Sequence, residues 1–166
     1  MTNMTGIYLL LGTNLGNKTK NLEKVIELLV ANRVAIRRES SIYETAAWGI
    51  EDQPSFLNQV IEIETSRTPE KLLELLQQIE SNMGRVKKIK WGERLIDIDI
   101  LYFGDTIVDQ EKLKIPHPEI QNRRFTLEPM VEIIPELVHP VLSLSQSEML
   151  RACEDKLEVK HYEPVI

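Results

Sequence analysis

The stretch Trp91-Gly-Glu-Arg-Leu-Ile-Asp-Ile-Asp-Ile-Leu101 says more about this chain than any other. From Leu95 to Leu101 it is apolar except for Asp97 and Asp99. A strand turns successive side chains to opposite faces, so the two carboxylates share one face and Ile96, Ile98 and Ile100 share the other. Acids on an otherwise core-type strand are costly to bury without a counter-ion. At about 3.3 Å per residue the two lie about 6.6 Å apart along the strand, a spacing from which both could converge on one or two Mg²⁺ ions. Just upstream stand Arg85, Lys87, Lys88, Lys90 and Arg94, against the single acid Glu93. Metal on one side and cations on the other suit a polyphosphate. Taken separately, the acids could be a solvent-facing pair bridged to nearby lysines, and the basic run could be a solvated surface. Taken together, with Gly92 as a flexible joint, they favour a site.

Working outward, Thr68-Pro69-Glu70 is a helix start: a capping hydroxyl, a proline in the first turn and then an acid. Leu72, Leu73, Leu75, Leu76 and Ile79 supply its apolar face, and Gly84 stops it. Before it, Phe56 to Ile63 reads as a strand, Thr45 to Pro54 as a long loop, and Val34 to Tyr43 as extended. Leu22, Val25, Ile26 and Leu29 recur at helical spacing within Thr19 to Ala31, behind a short apolar strand from Ile7 to Leu11. After the Asp-x-Asp strand come a turn-rich stretch to Pro116-His117-Pro118, helices around Phe125–Ile134 and Ser145–Ala152, and a tail, Leu157 to Tyr162, suited to an edge strand. The leading order β-α-β-β-α-β predicts a ferredoxin-like α+β fold. Its antiparallel sheet would carry helices packed on one face, and a C-terminal extension would follow.

The chain has 166 residues, which predicts a single domain over 1–166 with a core that needs no staples. Its net charge of −6 argues against general nucleic-acid or anionic-membrane binding, so the basic cluster is informative for being local. Cys153 is the only cysteine, which excludes an internal disulfide and suits a reducing cytoplasm; it reads as a small buried hydrophobe. No apolar run is long enough to span a membrane, and the first residues lack a signal-peptide pattern.

The glycine loop Gly12-Thr-Asn-Leu-Gly16 lacks the Lys-Ser/Thr of a P-loop and the third glycine of a dinucleotide fingerprint, so a strand-to-helix turn explains it. His117, held between prolines, is followed by Arg123, close enough in sequence to reach the same phosphate; a structural histidine is the plain alternative. His139 and His161 read as structural or surface residues. Phe56 and Asn58 fall on one strand face, where ring and amide could stack on and bond to a flat heterocycle. A core phenylalanine beside a turn asparagine explains them equally. Trp48 is either a hydrophobic anchor or part of a lid.

The sequence resembles the 6-hydroxymethyl-7,8-dihydropterin pyrophosphokinase family. The match runs through Leu11-Gly-Thr-Asn-Leu-Gly16, Tyr43-Glu-Thr45, Gln53-Pro54 with Phe56-Leu-Asn58, Ile79-Glu80 and Gly84-Arg85. It continues through Lys90-Trp-Gly-Glu-Arg94, Asp97-Ile-Asp99 and Pro116-His117 to Arg123 and Phe125. These segments span nearly the whole chain in order. The resemblance implies transfer of the β,γ-pyrophosphoryl group of ATP to the hydroxymethyl oxygen of the pterin, with release of AMP, in folate synthesis. It implies that Asp97 and Asp99 hold two Mg²⁺ ions and that Arg85 and Arg94 join them in catalysis. Thr45, Trp48, Phe56, Asn58 and Phe125 would bind the pterin. Gln77, Glu80, Lys87, Lys90, Trp91, Arg94, Ile100, Lys112, Lys114, His117 and Arg123 would bind ATP, several of them on a loop that closes over it. The partners would be these two small molecules, with no nucleic acid or membrane, and the chain would act as a monomer in the cytoplasm.

Some positions depart from the family pattern. Lys87 and Lys90 stand where arginine is common, the segment between Arg85 and Trp91 is one residue shorter, and Ala46 and Ala47 replace prolines. Lysine keeps the charge and loses the bidentate fork. Competing readings are a nucleotidyltransferase or sugar-nucleotide enzyme using the Asp-x-Asp pair, and a non-catalytic ferredoxin-like module binding RNA or a small regulator. The first lacks a Gly-Ser element close before the acids, and the second lacks an aromatic-basic strand for RNA.

Overall fold

The computed structural model describes residues 4–46, 54–84 and 95–163. The elements run β1 (Met4–Thr13), α1 (Lys18–Ala31), β2 (Ala35–Glu39), β3 (Tyr43–Thr45), β4 (Phe56–Thr65), α2 (Pro69–Asn82) and β5 (Asp97–Phe103). Then follow β6 (Val108–Asp109), β7 (Lys114–Ile115), a short 3₁₀ turn at Ile120–Asn122, α3 (Arg124–Ile133), α4 (Gln146–Ala152) and β8 (Val159–His161). The sheet order is β5-β1-β4-β3-β8, with β2 also on β4, and every pairing is antiparallel. This is the α+β arrangement that the sequence implies.

Two helices cover one face of the sheet. The Asn17 side chain caps α1 by accepting the Lys20 amide at 3.2 Å, and Leu22, Val25 and Leu29 face inward. Thr68 caps α2 in the same way through the Lys71 amide at 3.2 Å, with Pro69 in the first turn and Leu72, Leu75, Leu76 and Ile79 buried. These residues meet Ile7, Leu9 and Leu11 of β1, Leu57, Ile61 and Ile63 of β4, and Ile98 and Ile100 of β5.

The opposite face is covered over part of its length by the C-terminal extension. Tyr8, Leu10, Val60, Leu101 and Tyr102 pack there against Leu127 and Met130 of α3 and Met149 of α4. A bulge assists at the β1–β5 pairing, where Tyr8 opposes Tyr102 but Leu9 opposes Ile100. Leu101 is the extra residue, so Leu101 and Tyr102 both fall on the extension's side.

The expected strand from Val34 to Tyr43 is interrupted. Ser40 is buried, its amide bonds to Val60 O at 2.8 Å, and its hydroxyl accepts the Val60 amide at 3.0 Å in place of a ladder bond. The run therefore divides into β2 and β3, which pair with successive parts of β4. The turn-rich stretch after β5 contains the β6–β7 ribbon, and β8 adds to β3 as the expected edge strand.

Candidate active site

The Asp-x-Asp strand lies at the sheet edge, and its register sets the site. Asp97 pairs with Gly12 and Asp99 with Leu10, while Gly12 pairs across β1 with Asn58 and Asn58 with Tyr43. A single row thus runs Asp97–Gly12–Asn58–Tyr43 across β5, β1, β4 and β3. Leu10 belongs to the cluster under α3, so alternation puts Gly12, Asn58, Asp97 and Asp99 on that same face. They occupy its far end, beyond the row Tyr102–Tyr8. Both aspartates are half-buried, while Ile96, Ile98 and Ile100 go into the core on the other side, as the alternation predicts.

The aspartates sit on a fixed backbone. Ile98 N–H turns away from β1 and donates to the Glu80 carboxylate of α2 at 2.8 Å. Amides alternate direction along a strand, so those of Asp97 and Asp99 turn toward β1. Upstream, Leu95 has its carbonyl held by the Thr13 hydroxyl at 2.5 Å and the Asn21 side-chain amide at 3.3 Å.

 The Leu95 carbonyl is thereby tied to β1 and α1, and Asn21 also donates to Leu15 O at 2.8 Å. The Gly12–Gly16 loop is a tied strand-to-helix turn, with Gly16 at φ +72° as its left-handed residue.

Phe56 pairs with Thr45 one row further out, so the ring and the Asn58 amide share a face as expected. Thr45 and Asn58 are buried and Phe56 is half-buried. Above them α3 packs on β3 and β4. Its first amide, that of Arg124, is held by the Asp155 carboxylate at 3.1 Å, and the Arg124 side chain returns to Asp155 O at 3.1 Å. Phe125 follows, half-buried at the margin of the second core, with the Arg123 guanidinium 5.6 Å from its ring centre. Nothing in the sequence pointed to Glu132, further along α3. It accepts from the Tyr43 hydroxyl at 2.6 Å, the Ser41 hydroxyl at 2.8 Å and the Ser41 amide at 3.0 Å, tying α3 to the start of β3.

His117 is anchored rather than loose. Its amide donates to Leu101 O at 3.0 Å, and its Nδ1 accepts the Glu119 amide at 3.1 Å. Burial first, and the nearby Arg123 charge second, push its pKa down to about 4. The ring is therefore neutral at pH 7, and with Nδ1 accepting, its proton sits on Nε2, available as a donor. His139 is structural: buried, its Nδ1 accepts the Val141 and Leu142 amides at 3.1 and 3.0 Å. His161 is exposed and lies against Tyr43, and Cys153 is half-buried beside the second core.

The remaining described candidates lie on α2, β5 and the β6–β7 ribbon. Ile100 has its side chain in the core under α1 and α2, so only its backbone could meet a nucleotide. Gln77 is exposed on α2. Lys112 and Lys114 are exposed on the β6–β7 ribbon, and Lys114 is paired with Asp109 at 2.7 Å. Trp48, Arg85, Lys87, Lys90, Trp91 and Arg94 lie outside the described residues. An open pocket over β2 is no rival, because its Arg37 and Arg38 are already paired with its Glu62 and Glu64.

Among the described residues no group of three or more His, Cys, Asp and Glu side chains is set to hold a metal. That composition still fits Mg²⁺, which keeps several waters and commonly takes only one or two carboxylates plus substrate phosphates. Asp97 and Asp99, on one face of a fixed strand, meet that requirement.

The family model for 7,8-dihydro-6-hydroxymethylpterin-pyrophosphokinase (HPPK) matches residues 8–135, which include every described element of this site. The chain belongs to that family. It is thereby placed among the ATP-dependent diphosphotransferases. A 2-amino-4-hydroxy-6-hydroxymethyldihydropteridine pyrophosphokinase of Aquifex aeolicus is 41% identical over 138 residues, covering 83% of this chain and 86% of the relative. Its Bacillus subtilis counterpart is 44% identical over 127 residues, 76% of each chain. The folic acid synthesis protein fol1 of Pneumocystis carinii is 43% identical over 139 residues, covering 84% of this chain but 19% of that longer protein. Among solved structures, Plasmodium falciparum HPPK-DHPS with pteroate superposes with a TM-score of 0.72 at 19% identity, over 92% of this chain and 42% of that one. At that identity the likeness speaks for the HPPK fold alone. No helix among the described residues is long and apolar enough to cross a membrane.

Proposed function

We infer that this chain transfers the β,γ-pyrophosphoryl group of ATP to the hydroxymethyl oxygen of 6-hydroxymethyl-7,8-dihydropterin, releasing AMP, in folate synthesis. The observation that carries the reading is the row Asp97–Gly12–Asn58, with Asp99 beside it. It sets two carboxylates next to a carboxamide on the sheet face that carries the C-terminal extension, beyond the apolar cluster under that extension. The names of the bacterial relatives, matched over most of their length, support the same substrate.

In this reading the pterin ring stacks between Phe56 and Phe125, and the Asn58 carboxamide and the Thr45 region bond to its edge. The ring is thereby oriented with its hydroxymethyl group toward Asp97. The two carboxylates would hold two Mg²⁺ ions, which when bound would offset triphosphate charge as the hydroxyl approaches. His117, as a neutral Nε2–H donor, and Arg123 bond to phosphate oxygens. Gln77, Glu80, Lys112, Lys114 and the Ile100 backbone border the nucleotide. Arg85, Lys87, Lys90, Trp91 and Arg94 close over ATP, and Arg85 and Arg94 stabilise charge on the departing AMP. Closure would also exclude water as a competing nucleophile. The hydroxyl oxygen bonds to the β-phosphorus, the bond from that phosphorus to the α,β-bridging oxygen breaks, and the hydroxyl proton is lost to solvent. Residues 1–166 form one domain in this reading, acting as a cytoplasmic monomer.

A coupled AMP-release assay with Mg-ATP, with and without 6-hydroxymethyl-7,8-dihydropterin, tests the proposal. AMP that depends on both pterin and metal is the expected result. The absence of both AMP release and substrate binding would overturn it.

A further inference from the structure

Gly12 has no conformational reason to be glycine. Among the described residues the left-handed glycines are Gly6, Gly16, Gly84 and Gly104, whereas Gly12 is an ordinary strand residue paired on both sides. Strand interiors disfavour glycine, and one found there marks a close approach of some other group. Here that group is Asn58. A Cβ built on Gly12 would lie 2.8 Å from Asn58 Nδ2, closer than real Cβ contacts allow. The carboxamide leans across β1 because Nδ2 donates to the Leu11 carbonyl at 3.3 Å. It has little room to retreat: Asn58 is 5% exposed, and its neighbour on the far side of the row, Tyr43, is 4% exposed and tethered to Glu132.

The bond to Leu11 uses one N–H of the amide. Among the described residues the Asn58 carbonyl oxygen accepts no hydrogen bond, which leaves an acceptor and the second N–H side by side. That pair matches a ring edge carrying an adjacent donor and acceptor, such as the lactam or aminopyrimidine edge of a pterin.

We propose that Gly12 is a positioning residue for pterin recognition: its missing side chain makes the space in which the Asn58 carboxamide is held against Leu11 and aimed at the substrate. The proposal rests on the pterin reading given above. Nucleotide and metal are held by other residues, so a methyl group at position 12 should disturb the pterin and little else.

The test is a four-protein cycle: wild type, Gly12→Ala, Asn58→Ala and the double variant. For each, the affinity for 6-hydroxymethyl-7,8-dihydropterin is measured by calorimetric titration, and KM is measured for both substrates. Gly12→Ala should weaken pterin binding about ten-fold or more, as loss of a well-placed hydrogen bond does, with KM for ATP nearly unchanged. In the Asn58→Ala background the same substitution should cost almost nothing, because the group it displaces is gone. Unchanged pterin affinity in Gly12→Ala, or an equal loss in both backgrounds, would overturn the proposal. If Gly12→Ala fails to fold, a folded double variant supports the steric link to Asn58, and an unfolded one overturns it. Absence of pterin binding by the wild type would instead sink the functional reading, and this inference with it.

Discussion

The Glu80 carboxylate accepts the Ile98 N–H at 2.8 Å, joining α2 to the one residue that separates Asp97 from Asp99. β5 is an edge strand, and an amide on its open side has no neighbouring strand to bond. A buried carboxylate on the covering helix takes that role, so Glu80 holds the aspartates in place whatever else it meets.

Replacing Glu80 by Ala should leave the Ile98 amide unsatisfied and cost about 1–3 kcal/mol of stability, read from urea denaturation. The Mg²⁺ concentration for half-maximal activity should rise as well. Gln keeps an acceptor and should recover much of both. Wild-type stability and metal dependence in Glu80→Ala would refute a positioning role.

Asp97→Ala should remove several kcal/mol of transition-state stabilisation while the fold persists, since the side chain is half-buried on the site face and lies outside both cores. The measurement is kcat/KM with saturating Mg²⁺, beside a thermal unfolding curve. Near-wild-type turnover would exclude the carboxylate as a metal ligand.

His117 makes stability pH-dependent. Its folded pKa of about 4 lies below the ordinary 6.5, so the unfolded chain binds the extra proton first. The contribution is complete above pH 6.5 and is lost as the pH falls toward 4, with a slope of at most about 1.4 kcal/mol per pH unit. His117→Asn should flatten the stability profile in that window. Identical profiles for the two proteins would show that the ring titrates normally.

Arg94 lies outside the described residues, and its prediction comes from the sequence alone. Arg94→Ala should lower kcat more than it weakens pterin binding, because a cation acting on the leaving group matters most in the transition state. Single-turnover rates beside pterin titrations separate the two effects. A defect confined to pterin binding would remove Arg94 from that role.

Much of the fold was legible in the chain because it is written in local patterns. Helical spacing and the Thr68-Pro69 cap placed α2, and alternation placed the two aspartates on one face and three isoleucines on the other, as observed. The motifs and their order were enough to indicate the family, to which the chain belongs. The interruption at Ser40 was not legible, because it depends on a hydroxyl meeting the Val60 amide on another strand.

The sequence by itself singled out the residues for which chemistry is proposed: the Asp-x-Asp pair, the basic run before it, Phe56 with Asn58, and His117 with Arg123. Tertiary structure alone decided how the described ones among them are arranged, because register is a relation between strands far apart in the chain. Only pairing puts Gly12 between Asp97 and Asn58, and only packing sends Glu80 to the Ile98 amide and Glu132 to Tyr43. Burial beside Arg123, likewise, is what keeps His117 neutral. Local sequence carries propensity and periodicity, whereas contacts of this kind arise when distant segments close on one core.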